Sequence, residues 1–257
     1  VVHGGPLTRD DWFFEPHDFI RYLRATRPEP PNRLRLPSRI VLVFGAYFQR
    51  VCSTALRARR ADWNSSISLG YAGRRSVAVV RSTIGAPASA IDLEESIALG
   101  AQTIIAFGSC GSVSKDLPIG LTVLPTAAYS DEGTSKHYGG SRWARPDPEL
   151  VRRLRGACHR RSLPVREGTV WTIDAVYRES RSRARALAQR GVVGVDMEAS
   201  ALYTIGRFRR TRVASRLAVS DELAGDAWYP GFTHPTFRQG VRASLQAVVD
   251  VMSGGIP

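Results

Sequence analysis

From residue 39 onward, short apolar runs rich in β-branched residues alternate with stretches whose apolar positions recur at helical spacing. This alternation restricts the fold more than any other feature of the chain. "RIVLVFG" reads as a strand ending in Gly45, followed by a helix over "CSTALRARRA". "SVAVVRSTIG" is a second strand, and "SAIDLEESIALG" a helix stopped by Gly100. "TIIAFGSCG" is a strand ending in a glycine turn, and "LTVLPTAAY" a further strand. Then come the amphipathic helix "DPELVRRLRGACHRRS", the strand "VREGTVWTID", the helix "SRSRARALAQRG", the strand "VVGVD" and the helix "EASALYTIGRFRR". The strand "RVASRLAVSD" and the helix "FRQGVRASLQAVVDVM" close the pattern. Such alternation implies an α/β fold with a parallel or mixed sheet covered on both faces, and its ligand sites lie where strands end and loops begin.

Residues 1–38 differ in character. They are rich in Pro, Arg and aromatic residues, with "RPEPPNRLRLPS" as an extended connector and one short helix expected from Pro16 to Arg27. We therefore expect an N-terminal extension, 1–38, and one catalytic domain, 39–257. The 257 residues suffice for a substantial core, and 43% hydrophobic with 23% charged residues is an ordinary globular composition. No apolar run approaches the roughly 18 residues of a membrane span, and no secretory signal is visible at the N-terminus. Cys52, Cys110 and Cys158 lack disulfide or metal spacing, which points to a reducing, cytoplasmic setting. His3, His17, His137, His159 and His234 show no metal-binding spacing either, so no metal is expected.

A net charge of +13 raises the question of nucleic acid. All but two of the 36 basic residues are arginine, however, and they are spread along the chain with little aromatic interleaving. We read this as a bias toward arginine rather than as a nucleic-acid surface, although a basic surface still attracts anionic substrates such as phosphate.

Three strand ends carry chemistry. In "FGSCGS", a glycine-rich turn exposes backbone N–H groups able to cradle an anion, with Ser109 adding a hydroxyl; a tight turn with no ligand is the alternative. A nucleophilic elbow at Cys110 fails because its last position is Ser112, and no dinucleotide fingerprint follows any strand. In "VDMEAS", Asp196 and Glu198 stand two residues apart, and Glu198 is suited to accept hydrogen bonds from a vicinal diol. Acids in a first helical turn also complement the helix dipole, which accounts for such a pair without a ligand. In "AVSDEL", Asp221 after Ser220 is either an acid able to protonate a leaving group or a simple cap.

Taken in order, "VLVFG", "IGAPASAIDLEESIALGAQTIIAFGSCGSV", "GVVGVDMEASALY" and "AVSDEL" resemble the nucleoside phosphorylase and nucleosidase superfamily, of the purine nucleoside phosphorylase and uridine phosphorylase type. The resemblance runs from about Ile40 to the last helix, and "VDMEASALY" is its most specific part. It implies a three-layer αβα sandwich around a central mixed sheet, assembled into dimers or hexamers. It implies that Glu198 binds the ribose hydroxyls with Met197 against the sugar, Asp196 and Ser220 beside them, and Val176 and Tyr177 facing the base. Asp221 would protonate the base as it leaves. Gly45, Ser109 and Gly111 would hold phosphate.

The departures from the family pattern concern the anion. Phosphorylases carry an arginine four residues after the first strand's glycine, where this chain has Gln49, and another three residues before the serine of the glycine turn, where it has Ala106. Hydrolytic members place a glutamate at the first of these positions. Arg50, shifted by one residue, is the expected phosphate ligand here, with Arg59, Arg60 and Arg81 as substitutes. The pyrimidine-reading Gln is missing from "DAVYRESRSR", and Asp221 favours a purine. The expected activity is cleavage of a nucleoside by phosphate into free base and ribose 1-phosphate, without a cofactor. Hydrolysis by water, or a degenerate nucleoside-binding protein, are the alternatives.

Overall fold

The computed structural model describes residues 12–26 and 34–254. Among these, eleven strands join in one mixed sheet. In chain order they are β1 (Arg39–Phe44), β2 (Arg59–Ala61), β3 (Asn64–Ala72), β4 (Arg75–Ser82), β5 (Thr103–Ser112), β6 (Thr122–Asp131), β7 (Trp143–Ala144), β8 (Arg166–Ile173), β9 (Val192–Asp196), β10 (Arg212–Glu222) and β11 (Tyr229–Pro230). The strands run in the order β11-β10-β6-β8-β9-β5-β1-β4-β3-β2, with β7 beside β6. Because β10 also pairs with β5, the strands β5, β10, β6, β8 and β9 close on themselves, and β1, β4, β3 and β2 extend from β5 as an open wing.

β5 has three partners. Residues 103–107 pair in parallel with β1, residues 103–112 pair in parallel with β10, and residues 111–112 pair antiparallel with β9. β5 thus exchanges β1 for β9 partway along, and Gly108, Ser109 and Cys110 stand in the fork between them. A fork of this kind is where open α/β sheets leave room for a ligand.

Helices α2 (Gly45–Ala55), α4 (Pro148–Arg160) and α7 (Pro235–Met252) cover one face, where α7 packs against both α2 and α4. Helices α1 (Pro16–Thr26), α3 (Ala86–Ala98) and α6 (Ala199–Phe208) cover the other, and α5 (Arg181–Ala188) packs on β9. Local sequence accounts for their bounds. Asp147 caps α4 by accepting from the Leu150 N–H at 2.8 Å, Pro148 opens the helix, and Leu150, Val151, Leu154, Ala157 and Cys158 form its buried stripe. In α7, Phe237, Val241, Leu245, Val248 and Met252 do the same at helical spacing. Gly240 permits the close seating of α7, since a Cβ there would lie 2.0 Å from the Gly120 carbonyl oxygen.

Four expectations change. The helix after β1 begins at once, at Gly45, instead of inside "CSTALRARRA", and Arg59–Ala61 is the edge strand β2. β3, "NSSISLGYA", is a strand that its serines and glycine concealed. "FGSCGS" is no turn: β5 runs through it to Ser112. Its glycines serve close packing, a Cβ on Gly108 meeting the Phe44 ring at 2.6 Å. In the extension, α1 buries Ile20 and packs on α3, and Glu15 pairs with Arg209 at 2.7 Å, which in turn grips Glu94 at 2.8 and 3.0 Å. Residues 1–11 and 27–33 of the extension, including Arg27, lie outside the described residues.

Arg216 on β10 is wholly buried. Its Nη2 donates to Thr122 Oγ1, while Nε and Nη1 meet no hydrogen-bond partner among the described residues. Burial accordingly lowers its pKa. A desolvated charge without an acid is replaceable by an apolar side chain of similar length with a gain on the order of 1 kcal/mol or more. We predict that Arg216→Met raises the melting temperature by about 2–4 °C or more in a thermal scan. A lower melting temperature would mean that an anion pairs with the guanidinium in solution.

Candidate active site

The fork in β5 organises the site. Val43 of β1 is flanked by Arg81 of β4 and Phe107 of β5 on one rung, and Phe107 touches Phe48 of α2 edge-on at 5.4 Å between ring centroids. This face of the sheet therefore looks toward α2. Two residues on, β1 has given way to Gly45, the first residue of α2, and β5 has reached Ser109, so the register brings the N-terminus of α2 beside Ser109 at the fork. Gly45 has φ +84°, which lets the strand turn into the helix within one residue, and the space where its Cβ would stand is open. The first N–H groups of α2, which have no partner within the helix, thus begin next to a half-buried serine.

Arg50 does not join them. It is exposed and lines a groove between α2 and α7 with Tyr47, Arg238 and Arg242. One residue of helix is a rotation of about 100°, so the inward position falls to Gln49. Gln49 is buried, and its amide donates to the Ser65 and Ser66 carbonyls at 3.3 and 3.1 Å. Ala106 is buried on the face opposite Phe107. Of the substitutes, Arg59 and Arg60 are exposed on edge strand β2. Arg81 is half-buried on the α2 face, with Nη2 3.4 Å from Ser66 Oγ. Gly111 does not line the anion space. It sits within the ladders to β9 and β10, where a Cβ would strike Leu223 at 2.5 Å and approach Asp221 Oδ2 at 3.2 Å.

Asp221 owes its position to a β-bulge. The register of β10 on β5 slips between Val219, opposite Cys110, and Asp221, opposite Gly111, so Ser220 is the extra residue. Buried Ser220 Oγ lies 2.7 Å from Asp221 Oδ1 and 3.2 Å from the Cys110 carbonyl oxygen, its single proton shared between two acceptors. Ser220 therefore holds Asp221 rather than a ligand. The other carboxylate oxygen, Oδ2, accepts from the Trp228 indole N–H at 2.8 Å. The Cys110 thiol is pushed far up by burial and by the charges of Asp196 and Asp221, which removes it as a nucleophile.

Where β9 gives way to α6, the two acids of "VDMEAS" separate in role. Asp196 Oδ1 accepts from Thr172 Oγ1 at 2.7 Å, and Oδ2 accepts from the Ala199 and Glu198 N–H groups at 2.7 and 3.2 Å. Oδ2 thus caps the start of α6 while Thr172 holds Oδ1, so both oxygens have protein partners and Asp196 positions the turn. Glu198 is 6% exposed; the Gly85 N–H donates to its Oε1 at 2.7 Å, and the Met197 backbone N–H also donates to its carboxylate. Burial first, and the charge of Asp196 second, push the Glu198 pKa well above the ordinary carboxylate range. Met197 between them is half-buried. Val176 and Tyr177 form a short 3₁₀ turn in which Val176 is 45% and Tyr177 97% exposed.

Three residues of the site were missed in the sequence. Glu132 accepts from Ser130 Oγ and Ser200 Oγ through Oε1 and from the Thr134 and Ser135 N–H groups through Oε2. Burial alone would raise its pKa, but the hydrogen bonds from Ser135, Ser130 and Ser200 outweigh burial and hold it below the usual range. Glu179 is pushed up to about 7, first by burial and then by the charge of Asp221. Trp228 lies on the loop after Asp221. Acid residues in "SDEG" and "YRES" look like any solvated acid, and a tryptophan seven positions from Asp221 gives no periodic signal. Among the described residues no cluster of His, Cys, Asp and Glu is arranged to hold a metal.

A family model described as the phosphorylase superfamily matches residues 47–251. A purine nucleoside phosphorylase of the DeoD type from Myxococcus xanthus is 32% identical over 184 residues, which span 69% of this chain and 77% of that protein. Among solved structures, a purine nucleoside phosphorylase from Toxoplasma gondii superposes with TM-score 0.77 at 19% identity, over 86% of this chain and 92% of the other. A 5'-methylthioadenosine/S-adenosyl homocysteine nucleosidase from Campylobacter jejuni superposes with TM-score 0.71 at 14% identity, over 84% and 99%. At such identities the structural matches establish the α/β fold.

Glu198 makes stability depend on pH in a definite direction. A carboxyl with a raised pKa in the folded state favours folding while protonated, and that contribution is lost as pH climbs from its ordinary value of 4.5 through the raised one. We predict that Glu198→Gln, which cannot ionise, melts several degrees above the parent at pH 8.5 and together with it at pH 5, both without ligand. Equal melting temperatures at both pH values would show that Glu198 ionises without strain.

Proposed function

The chain belongs to the phosphorylase superfamily, and from that membership we propose that it is a purine nucleoside phosphorylase, cleaving the N-glycosidic bond with inorganic phosphate to give free base and ribose 1-phosphate. The observation that carries this reading is the open N-terminus of α2 at Gly45 beside Ser109, a site for an oxyanion at the fork of the sheet. Gln49, an uncharged amide tied to two backbone carbonyls, supplies no base to activate water in its place. Arg81, on the α2 face one strand beyond β1, is the cation we assign to the phosphate. The purine follows from the names of the curated relatives and from an acid, Asp221, at the base end.

In the reaction, Glu198 accepts hydrogen bonds from the ribose diol through Oε2 while the Gly85 N–H fixes Oε1. The diol lowers the energy of the ionised carboxylate, and so ligand binding offsets the desolvation that burial imposes on it. Met197 packs against the sugar. Asp221 in its protonated form donates to the ring nitrogen of the purine as the bond to C1′ lengthens, which neutralises the departing base. Phosphate, held at Gly45, Ser109 and Arg81, attacks C1′ from the opposite side of the ring. No cofactor enters this scheme.

We further assign the enzyme to the cytoplasm as a homo-oligomer. The three cysteines are free and buried, and no helix among the described residues is long and apolar enough to cross a membrane. Trp12, Phe14, Phe19, Ile91 and Phe208 line an open groove of about 860 Å³, an apolar surface suited to a subunit contact.

Incubation with inosine or adenosine, with and without phosphate, tests the proposal. Base release should require phosphate and should yield ribose 1-phosphate; equal release without it would make the enzyme a hydrolase. Asp221→Asn should reduce kcat by roughly 10²- to 10⁴-fold, the usual contribution of a general acid. Arg81→Ala should raise the KM for phosphate at least ten-fold while leaving nucleoside binding in place, and an unchanged phosphate KM would remove Arg81 from the site.

A further inference from the structure

We propose that Trp228 is a displaceable stand-in for the purine, its indole N–H occupying the Asp221 oxygen that serves the base and competing with the base for it. The inference rests on Asp221 being the acid. Ser220 fixes Oδ1, leaving Oδ2 as the oxygen for any further partner. Oδ2 lies beside Gly111 of β5, where a Cβ would stand 3.2 Å from it and 2.5 Å from the Leu223 side chain. Trp228 donates to this same oxygen at 2.8 Å.

The loop that carries Trp228 is anchored at both ends. Leu223 N–H donates to the Ser112 carbonyl at 2.8 Å, and Gly231 N–H donates to the Ser220 carbonyl at 2.8 Å. β11 pairs Pro230 with Asp221 and Tyr229 with Glu222, so the chain returns directly over the acid. Between the anchors the segment is loosely held. Trp228 is 60% exposed, Tyr229 and Phe232 are likewise exposed, and Arg185 pairs with an Asp226 whose side chain is almost wholly in solvent. The indole is therefore held mainly by its bond to Asp221 and by a tilted contact with Phe232 at 6.4 Å, and it is free to swing away.

Chemistry makes the exchange reciprocal. Indole nitrogen is a donor only, so it matches a carboxylate and opposes a proton on Oδ2. When a nucleoside enters, Trp228 must leave for Oδ2 to carry the proton that faces the ring nitrogen. That proton passes to the base as the glycosidic bond breaks, and Asp221 becomes a carboxylate opposed by the new N–H of the free base. The indole N–H then takes the place of the base N–H, which favours product release. Asp221 regains its proton from solvent before the next turnover. Trp228 is thus a positioning residue that acts through Asp221.

Trp228→Phe keeps the exposed ring and deletes the donor. Free hypoxanthine and adenine should inhibit this variant with a constant roughly ten-fold lower than in the parent, the weight of one hydrogen bond to a charged group. kcat should fall while kcat/KM for the nucleoside holds or rises, because release slows and entry does not. In the parent, adding either base should alter the tryptophan emission that is lost in Trp228→Phe. Unchanged inhibition constants together with base-insensitive emission would overturn the proposal. Asp221→Asn separates the two readings: full activity in that variant refutes the acid, whereas an inactive Asp221→Asn with no competition in Trp228→Phe refutes only the stand-in.

Discussion

The exchange of partners along β5 is the constraint on which the rest depends. A parallel strand held between β1 and β10 has its hydrogen bonds satisfied on both edges, and at Gly108 to Cys110 one edge is released before β9 takes it up. Two elements enter the gap that results. β1 ends there and turns through Gly45 into α2, whose unpaired N–H groups look into the fork. β9 approaches from the other side and delivers Glu198. The continuous pairing with β10 then brings Asp221 to the same end through a one-residue bulge. The anion, diol and acid ends of the proposed site therefore all follow from one strand changing neighbours.

The electrostatics of the site's acids have a common cause. Glu132, Asp196 and Glu198 form a buried carboxylate chain linked through Ser200 and Thr172, yet hydrogen bonds are distributed unequally along it. Glu132 accepts from Ser130, Ser200, Thr134 and Ser135 and stays below the ordinary range, whereas Glu198 has only backbone donors, Gly85 and Met197 among the described residues, and burial forces it above that range. The carboxylate left short of donors is the one at the end of the chain, where a polyol could supply them. A buried acid with few donors is a polar group that a ligand's hydroxyls would satisfy, which is the physical basis of the diol site proposed above.

Much of this was legible in the sequence, for identifiable reasons. The strand and helix order could be read because β-branched runs and helical stripes are local signals, and the "VDMEAS" acids stood out as polar residues at the end of an apolar strand. Even there, local chemistry could not tell a capping acid from a ligand-binding one. Thr172, which claims Asp196, comes from a distant strand, and the Gly85 that holds Glu198 comes from the equally distant start of α3. "FGSCGS" misled because two glycines in six residues signal a turn, whereas both are there for side chains pressing from Phe44 and Leu223. Arg50 misled because a shift of one residue in a helix changes the face entirely. β3 was hidden by small polar residues that an edge region of the sheet tolerates.

The basic character of the chain acquires a local meaning at the anion end. Where arginines would be expected directly at the fork, the chain has Gln49 and Ala106, both buried and neither charged. Charge brought in from Arg81 must cross β1 to reach Ser109, so its field there is weaker than that of a cation in contact. A helix N-terminus contributes about half a positive charge and fixed donors, which suffices to orient an oxyanion but not to neutralise a dianion. Phosphate would then be held more by directed hydrogen bonds than by paired charge, and bound less tightly than in a site with two contacting arginines. Loose ground-state binding of the nucleophile need not slow the chemistry. Interactions that tighten only as charge develops at C1′ lower the barrier, while those already formed with free phosphate lower only its KM.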